Sequence, residues 1–458
     1  MTPGLVVKLR PTGPWRVGPD SGARNRVDSI YHSDSVYAAV TAAMARLGAF
    51  DAWLDATARS GEPAVSFSSC FPFLDEIGFI VPPRTIWPPQ SPSLMGARVR
   101  WKSARFVPLA MVQSLVAGVR PDENAWSMDG PSECLVPAGR LGPFRTAVRW
   151  SAAVDRMSGS SERHSVACLE FRAGAGLWLV ASFRDEPAWI GWGDRVKAAF
   201  RLLADSGFGG ERSRGWGRSE APEFTEGTLP ELILPSVATA GGAPIETAPP
   251  TESTPSPSGL EPSTTSPDEL SGAGASACQQ LESSTPESTG TDAITSQPDA
   301  PAPSEAPDGS TFFDSASGPA CTARETASAV GVLELEEPVE VAEEAVENVP
   351  VPEVLPEEAA IFEAGLKPHW MLSLFAPSGQ DAVDWSRGNY WLVERGGRID
   401  SPVGAGELKK TLRMIGEGSV IYAPAAPHGA APDVAPAGFP HPVFRAGFAV
   451  SVPLPEVS

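Results

Sequence analysis

Residues 31–47 read YHSDSVYAAVTAAMARL, and this stretch decides the fold class. Val36, Val40, Met44 and Leu47 recur at helical spacing, so all four share one face of a helix. Ser33 or Asp34 is the expected N-cap, because a short oxygen-bearing side chain there accepts an orphan N–H of the first turn. Upstream, Leu5, Val7 and Leu9 alternate with Lys8 and Arg10, which predicts a strand and not a signal peptide. Downstream, His164–Phe171 and Leu177–Phe183 flank Gly174, Ala175 and Gly176 and read as a hairpin. Val196, Phe200 and Leu203 then predict a second amphipathic helix that runs into a glycine cluster.

Strand, helix, strands, helix, strand predicts an α+β fold, helices on one face of an antiparallel sheet, in the order of a ferredoxin-like (RRM-like) unit. The stretch at about 72–145 is rich in Pro, Trp and Arg and reads as an insertion projecting from that unit. The chain has 458 residues, a length that suits two or three domains. Its formal net charge of −21 is concentrated in residues 219–366, where 28 acidic residues face a single base, Arg324. Residues 1–218 carry +6 and residues 367–458 are neutral, so the acidity does not describe the parts expected to fold.

Residues 219–366 also hold the low-complexity sequence. Ala243 to Ala320 is built from Pro, Ser, Thr, Glu and Gly, a composition with too little apolar surface to offset the entropy of ordering. A disordered acidic linker is expected there, with Val332 to Leu355 as a candidate docking peptide, or with the whole segment acting as an RNA mimic. The expected domains are therefore 1–218, the linker 219–366 and 367–458. No apolar run approaches the roughly 18 residues of a membrane helix. Cys70, Cys134, Cys168, Cys278 and Cys321 form no CxxC pair, which fits a reducing cytoplasm and neither a disulfide framework nor a zinc cluster.

The richest local signal is GFGGERSRGWGR, residues 207–218. Gly207, Gly209, Gly210, Gly215 and Gly217 allow positive φ and close backbone approach, so their N–H groups suit an anion-binding nest. Arg212, Arg214 and Arg218 add forked donors matched to phosphate oxygens. A helix C-cap at Gly207 followed by a tight turn is the plainer alternative. No GxxxxGK[ST] loop is present, so an ATP-binding P-loop is not expected. Arg214 to Gly217 begins like an RRM stacking motif, yet Arg218 and Ser219 stand where that motif has Phe and Val.

His32 to Ser35 ahead of a helix, Val154-Asp155-Arg156 after a strand, and the loop 207–217 resemble the RAMP superfamily of CRISPR-associated proteins. Four C-terminal stretches, His369–Phe375, Arg395–Ser401, Lys409–Ser419 and His441–Gly447, narrow the resemblance to the fourth subunit of the type III-A Csm effector complex, a Cas-five-type RAMP protein. The resemblance spans about 1–218 and 367–456. It implies two ferredoxin-like RAMP domains, no catalysis and no cofactor. It implies binding of the 5′ repeat-derived tag of crRNA, and bridging of a large polymerase/cyclase-like subunit to a backbone RAMP subunit. It further implies a thumb-like insertion that kinks the guide. The tag site so implied comprises His32, Ser33, Arg156, Gly207, Gly209, Gly210, Arg212, Ser213, Arg214, Gly215 and Gly217, with Arg84, Arg98, Arg100, Arg105, Arg145 and Arg149 as weaker candidates.

Some RAMP relatives cut precursor crRNA with a His near the first helix, so an endoribonuclease with His32 as general acid–base is the alternative. His164, His369, His428 and His441 form no local cluster with His32, and no HExxH or comparable metal-ligand spacing is present. Trp370, Phe375 and Trp391 read as core or interface, and Lys409, Lys410 and Arg413 as a solvated or partner-facing edge. A binder is the expected class.

Overall fold

The computed structural model describes residues 2–18, 23–89, 96, 100–235, 365–399 and 406–455. Arg98, Cys278, Cys321 and the acidic stretch 236–364 with its docking-peptide candidate lie outside the described residues. The N-terminal part runs β1 (Thr2–Leu9), α1 (Ser33–Arg46), α2 (Phe50–Ala56), β2 (Val65–Phe67), β3 (Phe71–Leu74), β4 (Ile77–Ile80) and β5 (Val107–Pro108). It continues with α3 (Leu109–Val116), β6 (Trp126–Asp129), β7 (Cys134–Pro137), β8 (Phe144–Val154), β9 (Ser161–Phe171), β10 (Ala175–Phe183), α4 (Glu186–Ser206) and β11 (Glu223–Leu229).

These strands and helices confirm the α+β class. The main sheet has the order β11-β1-β10-β3-β4-β5, with β2 also on β10, and its named pairs are antiparallel. Leu5, Val7 and Leu9 point into the core with Val36, Val40 and Met44 of α1 and Val196, Phe200 and Leu203 of α4. Both amphipathic helices therefore form where their apolar spacing places them. Asp185 caps α4 by accepting the Ala188 N–H at 2.8 Å, with Pro187 in the first turn, where its missing N–H costs nothing.

Three local expectations change. Ser33 and Asp34 do not cap α1: His32 is the N-cap residue and no side-chain cap bond forms, because both side chains are engaged by the C-terminal part. The segments around Gly174 do not pair with each other. β9 pairs with β8, and β10 lies between β1 and β3. β10 is apolar on both faces, so it enters the sheet centre, while the polar start of β9 projects away. Gly176 permits this course, since a Cβ there would stand 2.2 Å from the Leu9 carbonyl oxygen. Finally, Phe71–Leu74 and Ile77–Ile80, inside the stretch read as an insertion, belong to the main sheet. β11, inside the stretch read as linker, pairs with β1 along its whole length.

The C-terminal part contributes β12 (Lys367–Met371), β13 (Asp384–Asn389), β14 (Leu392–Arg395), β15 (Leu412–Ile415), β16 (Val420–Ala423), β17 (Gly429–Ala430), β18 (Gly447–Phe448) and β19 (Ser451–Pro453). Its four-stranded sheet has the order β13-β16-β12-β19. Among its described residues there is no α-helix. Trp370 and Phe375 are fully buried, as their apolar character predicts.

N- and C-terminal parts share one core. Trp370, Leu372, Val420, Phe448 and Val452 belong to the same buried cluster as β1, β10 and α1, and the rings of Tyr37 and Phe448 meet edge to face at 5.4 Å. Truncating one such aromatic to Ala typically costs about 3–5 kcal/mol. Among the described residues no helix is long and apolar enough to cross a membrane.

Candidate nucleic-acid interface

Helix α4 ends because Gly207 adopts φ 76°, with its N–H still bonded to the Leu203 carbonyl. Beyond it the chain folds back tightly. A Cβ on Gly217 would stand 2.0 Å from the Phe208 carbonyl oxygen, and one on Gly209 2.7 Å from that of Arg16. Both residues also have positive φ, so only glycine fits. The N–H groups of Phe208, Gly210, Arg214, Gly215 and Gly217 donate to carbonyls of Gly217, Arg16, Glu211, Arg212 and Pro14. Five of the loop's N–H groups are thus taken by backbone carbonyls. What the loop presents is a single 3-10 turn, Arg212–Arg214, between left-handed Glu211 and Gly215. Arg212, Ser213 and Arg214 are all exposed on it.

The turn lies along the ribbon made by β8 and β9, which pair from Phe144↔Phe171 to Val154↔Ser161. Alternate residues of a ribbon share a face. On one face Ala147, Val166 and Cys168 pack against Trp216 of the loop. The same face carries Arg145 and Arg149, whose Nη2 atoms reach Glu170 at 3.0 and 2.7 Å. It also carries Ser151 and His164, bonded to each other at 2.7 Å. Arg214 comes within 3.4 Å of Ser151 Oγ and 3.3 Å of His164 Nε2, and lies 3.2 Å from Glu211. By the same alternation Glu162 is on this face, so Arg145, Arg149 and Arg214 stand against Glu170, Glu211 and Glu162, with Arg212 exposed on the adjoining turn.

The opposite face exposes Trp150, with the Arg163 guanidinium 5.0 Å above its ring. Arg156 is exposed at the ribbon tip. Asp155 shapes that tip, accepting the Met157 N–H at 2.9 Å and the Ser158 hydroxyl. The remaining candidates lie elsewhere. Arg84 and Arg105 line a separate cavity of about 340 Å³ with Lys102 and Trp391. Arg105 is held by Asp28 at 2.9 Å and Arg100 by Glu123 at 3.0 Å.

His32 and Ser33 are buried, at 3% and 4% exposure, in a charged seam between the N- and C-terminal parts. His32 Nδ1 lies 2.7 Å from Glu417 Oε1 and Nε2 lies 3.3 Å from Asp28 Oδ2. Glu417 is itself fully buried and accepts the Ser69 hydroxyl. Burial alone would lower the His32 pKa, but the Glu417 charge and the two carboxylate hydrogen bonds outweigh it and raise it to about 9. Asp34 accepts from Arg395 at 2.9 and 3.1 Å and from Arg445. Burial would raise its pKa; the two guanidinium groups prevail and hold it at about 2. The Ser33 hydroxyl accepts the Leu374 N–H at 3.0 Å.

Asp28, Arg395, Glu417 and Arg445 were missed as partners of this helix start. The available signal was charge inside otherwise apolar or glycine-rich runs, as in Met414–Ser419 and Phe444–Gly447. Among the described residues no group of three or more His, Cys, Asp and Glu is arranged to hold a metal ion.

Residues 366–454 match the family model of the CRISPR Csm4 C-terminal domain. The chain is similar to the structure of a Csm3–Csm4 subcomplex in the type III-A CRISPR–Cas interference complex, at 11% identity and a TM-score of 0.47, with 99% of each chain covered. It is also similar to a Csm1–Csm4 cassette in complex with cA4, at 12% identity and a TM-score of 0.44, with 100% of this chain and 99% of the other covered. No curated protein matches significantly. The residues that carry the RAMP resemblance, at His32–Asp34, Arg395, Glu417 and Arg445, contact one another across the seam. The family that the sequence resembles is thus the one whose C-terminal domain model residues 366–454 match.

Proposed function

We propose that this chain is a non-catalytic subunit of a type III-A interference complex that holds the 5′ tag of crRNA. In this reading it bridges a Csm1-type large subunit to a Csm3-type backbone subunit, the two partners present in the structures it is similar to. The observation that carries the RNA assignment is the shared face of loop and ribbon, where Arg214 reaches Ser151 and His164 on the side that bears Arg145 and Arg149, and Arg212 is exposed on the same turn as Arg214. Phosphates are bound there by guanidinium groups, and unstacked bases of a single-stranded tag are read alongside.

The order β11-β1-β10-β2 supports a ferredoxin-like unit in the N-terminal part. The C-terminal part resembles such a unit in its sheet alone. The β8–β9 ribbon is the element with the reach of a thumb, and Arg156 at its tip belongs to the proposed RNA surface. His32 and Ser33 then support that surface from beneath and do not touch RNA. A nuclease using His32 would need it at the surface, whereas both its nitrogens are on carboxylates. A cytoplasmic location follows from the complex.

The double substitution Arg212→Ala/Arg214→Ala is expected to weaken binding of tag RNA and to flatten its salt dependence by up to about two units of slope. Fluorescence anisotropy across a salt series measures both. Unchanged affinity and slope would remove the loop from the site.

A further inference from the structure

A cavity of about 440 Å³ opens where β2 and β10 meet β12, β19 and residues 424–428. None of its lining residues belongs to the loop, the ribbon or the charged seam. Arg184, Lys367 and His428 line it and are exposed, and the hydroxyls of Ser66 and Ser182 add donors. No Asp or Glu lines it, in a chain with 56 of them and 35 Lys and Arg. The Arg184 guanidinium is held in place by Asp185 at 3.0 Å and the Glu62 carbonyl at 2.9 Å.

His369 also lines the cavity, at 3% exposure. Among the described residues neither of its ring nitrogens has a hydrogen-bond partner of good geometry, although the Ala423 carbonyl lies near enough to act on the ring. Buried polar groups are as a rule hydrogen-bonded. The Ala423 carbonyl is the neighbour that takes its N–H, and the ring itself stands at the cavity wall. Burial keeps that ring neutral, so it offers one N–H donor and one acceptor.

We infer that this cavity binds a small phosphate ester, its phosphate among Lys367, Arg184 and His428 and its organic portion reaching His369. Lys367, Arg184, the His428 imidazole and two hydroxyls supply more donors than the two oxygens of a carboxylate use, and they match a phosphate dianion. The volume is within the usual range of small-molecule sites, about 300–1,000 Å³, and exceeds what inorganic phosphate fills. Pro424, Pro427 and Pro453 give the organic portion an apolar wall.

Isothermal titration of the full chain with inorganic phosphate and with adenosine 5′-monophosphate tests the site. Saturable one-to-one binding is expected, tighter for the nucleotide, and weakened at least about tenfold by Lys367→Ala/His428→Ala. Arg212→Ala/Arg214→Ala should leave it unchanged, which separates this site from the RNA face. The His369 ring resonances should shift when the nucleotide is added. Arg184→Gln is a second variant should the first fail to fold, with the same loss expected. Absence of saturable binding, retention in a folded Lys367→Ala/His428→Ala or Arg184→Gln variant, loss in Arg212→Ala/Arg214→Ala, or a silent His369 ring would overturn the inference.

Discussion

Replacing His32 by Leu removes the one cation that, among the described residues, lies within hydrogen-bonding distance of Glu417. In the native protein one oxygen of that carboxylate accepts from His32 and Ser69, while among the described residues the other has no partner. Removing one member of a buried pair costs about 3–5 kcal/mol, because the remaining charge stays buried. The pH dependence gives an independent figure. A pKa raised from 6.5 to about 9 corresponds to about 3 kcal/mol at roughly 1.4 kcal/mol per unit. Because the folded value is the higher one, this contribution is complete below pH 6.5, declines as pH rises from there, and is lost above about 9. Urea unfolding followed by Trp fluorescence, near pH 6 and near pH 9, should show wild type losing stability on the alkaline side. His32→Leu should start lower and change much less over the same interval. Parallel pH profiles for the two proteins would refute the ion pair as the reason His32 is buried.

Asp34→Asn removes the carboxylate that Arg395 and Arg445, 6% and 8% exposed, share and should cost about 3–5 kcal/mol. Adding Arg445→Met should recover part of that loss in the same unfolding assay. Gly217→Ala places a Cβ against a backbone oxygen and should destabilise by several kcal/mol. Gly215→Ala, at φ 79° but with open space around it, should cost only about 1–3 kcal/mol for its left-handed backbone; equal shifts in Tm would contradict the close-approach argument. A chain divided after Arg324 should remain one particle on size exclusion, since Trp370, Leu372 and Phe448 share the core of β1 and α1. Separation of the two fragments under native conditions would show that the shared core is not sufficient.

The helices were legible because their signal is local: Val36, Val40 and Met44, and Val196, Phe200 and Leu203, fix a face without reference to anything distant. Strand partners were not. The alternation of Ser161–Phe171 shows that it is a strand, but which neighbour it joins depends on Phe144–Val154 and on the two-sided burial of β10. The glycine loop was legible as a place needing glycine. Its docking on the rest of the fold was not, since the carbonyls that take the Gly210 and Gly217 protons come from Arg16 and Pro14, some 200 positions away. His32 illustrates the same limit: a His, a Ser and an Asp before a helix resemble a surface site until Arg395, Glu417 and Arg445 are brought to them.

That seam bears directly on the proposed RNA face. Asp34 and His32 fix the start of α1, and the residue before them, Tyr31, packs its ring edge-on against Phe208 of the loop at 5.2 Å. Trp15 meets Phe208 from another side at 4.6 Å, and the neighbouring Arg16 carbonyl takes the Gly210 N–H at 2.9 Å. The C-terminal part thus reaches the loop arginines through a short series of buried contacts, without approaching RNA itself. Such an arrangement accounts for two observations together. His32, Ser33 and Asp34 are buried where they join the two parts, and Arg212 and Arg214 are exposed on the turn. In the proposed function recognition depends on the side chains of that turn, with the C-terminal part as the support that keeps it in place.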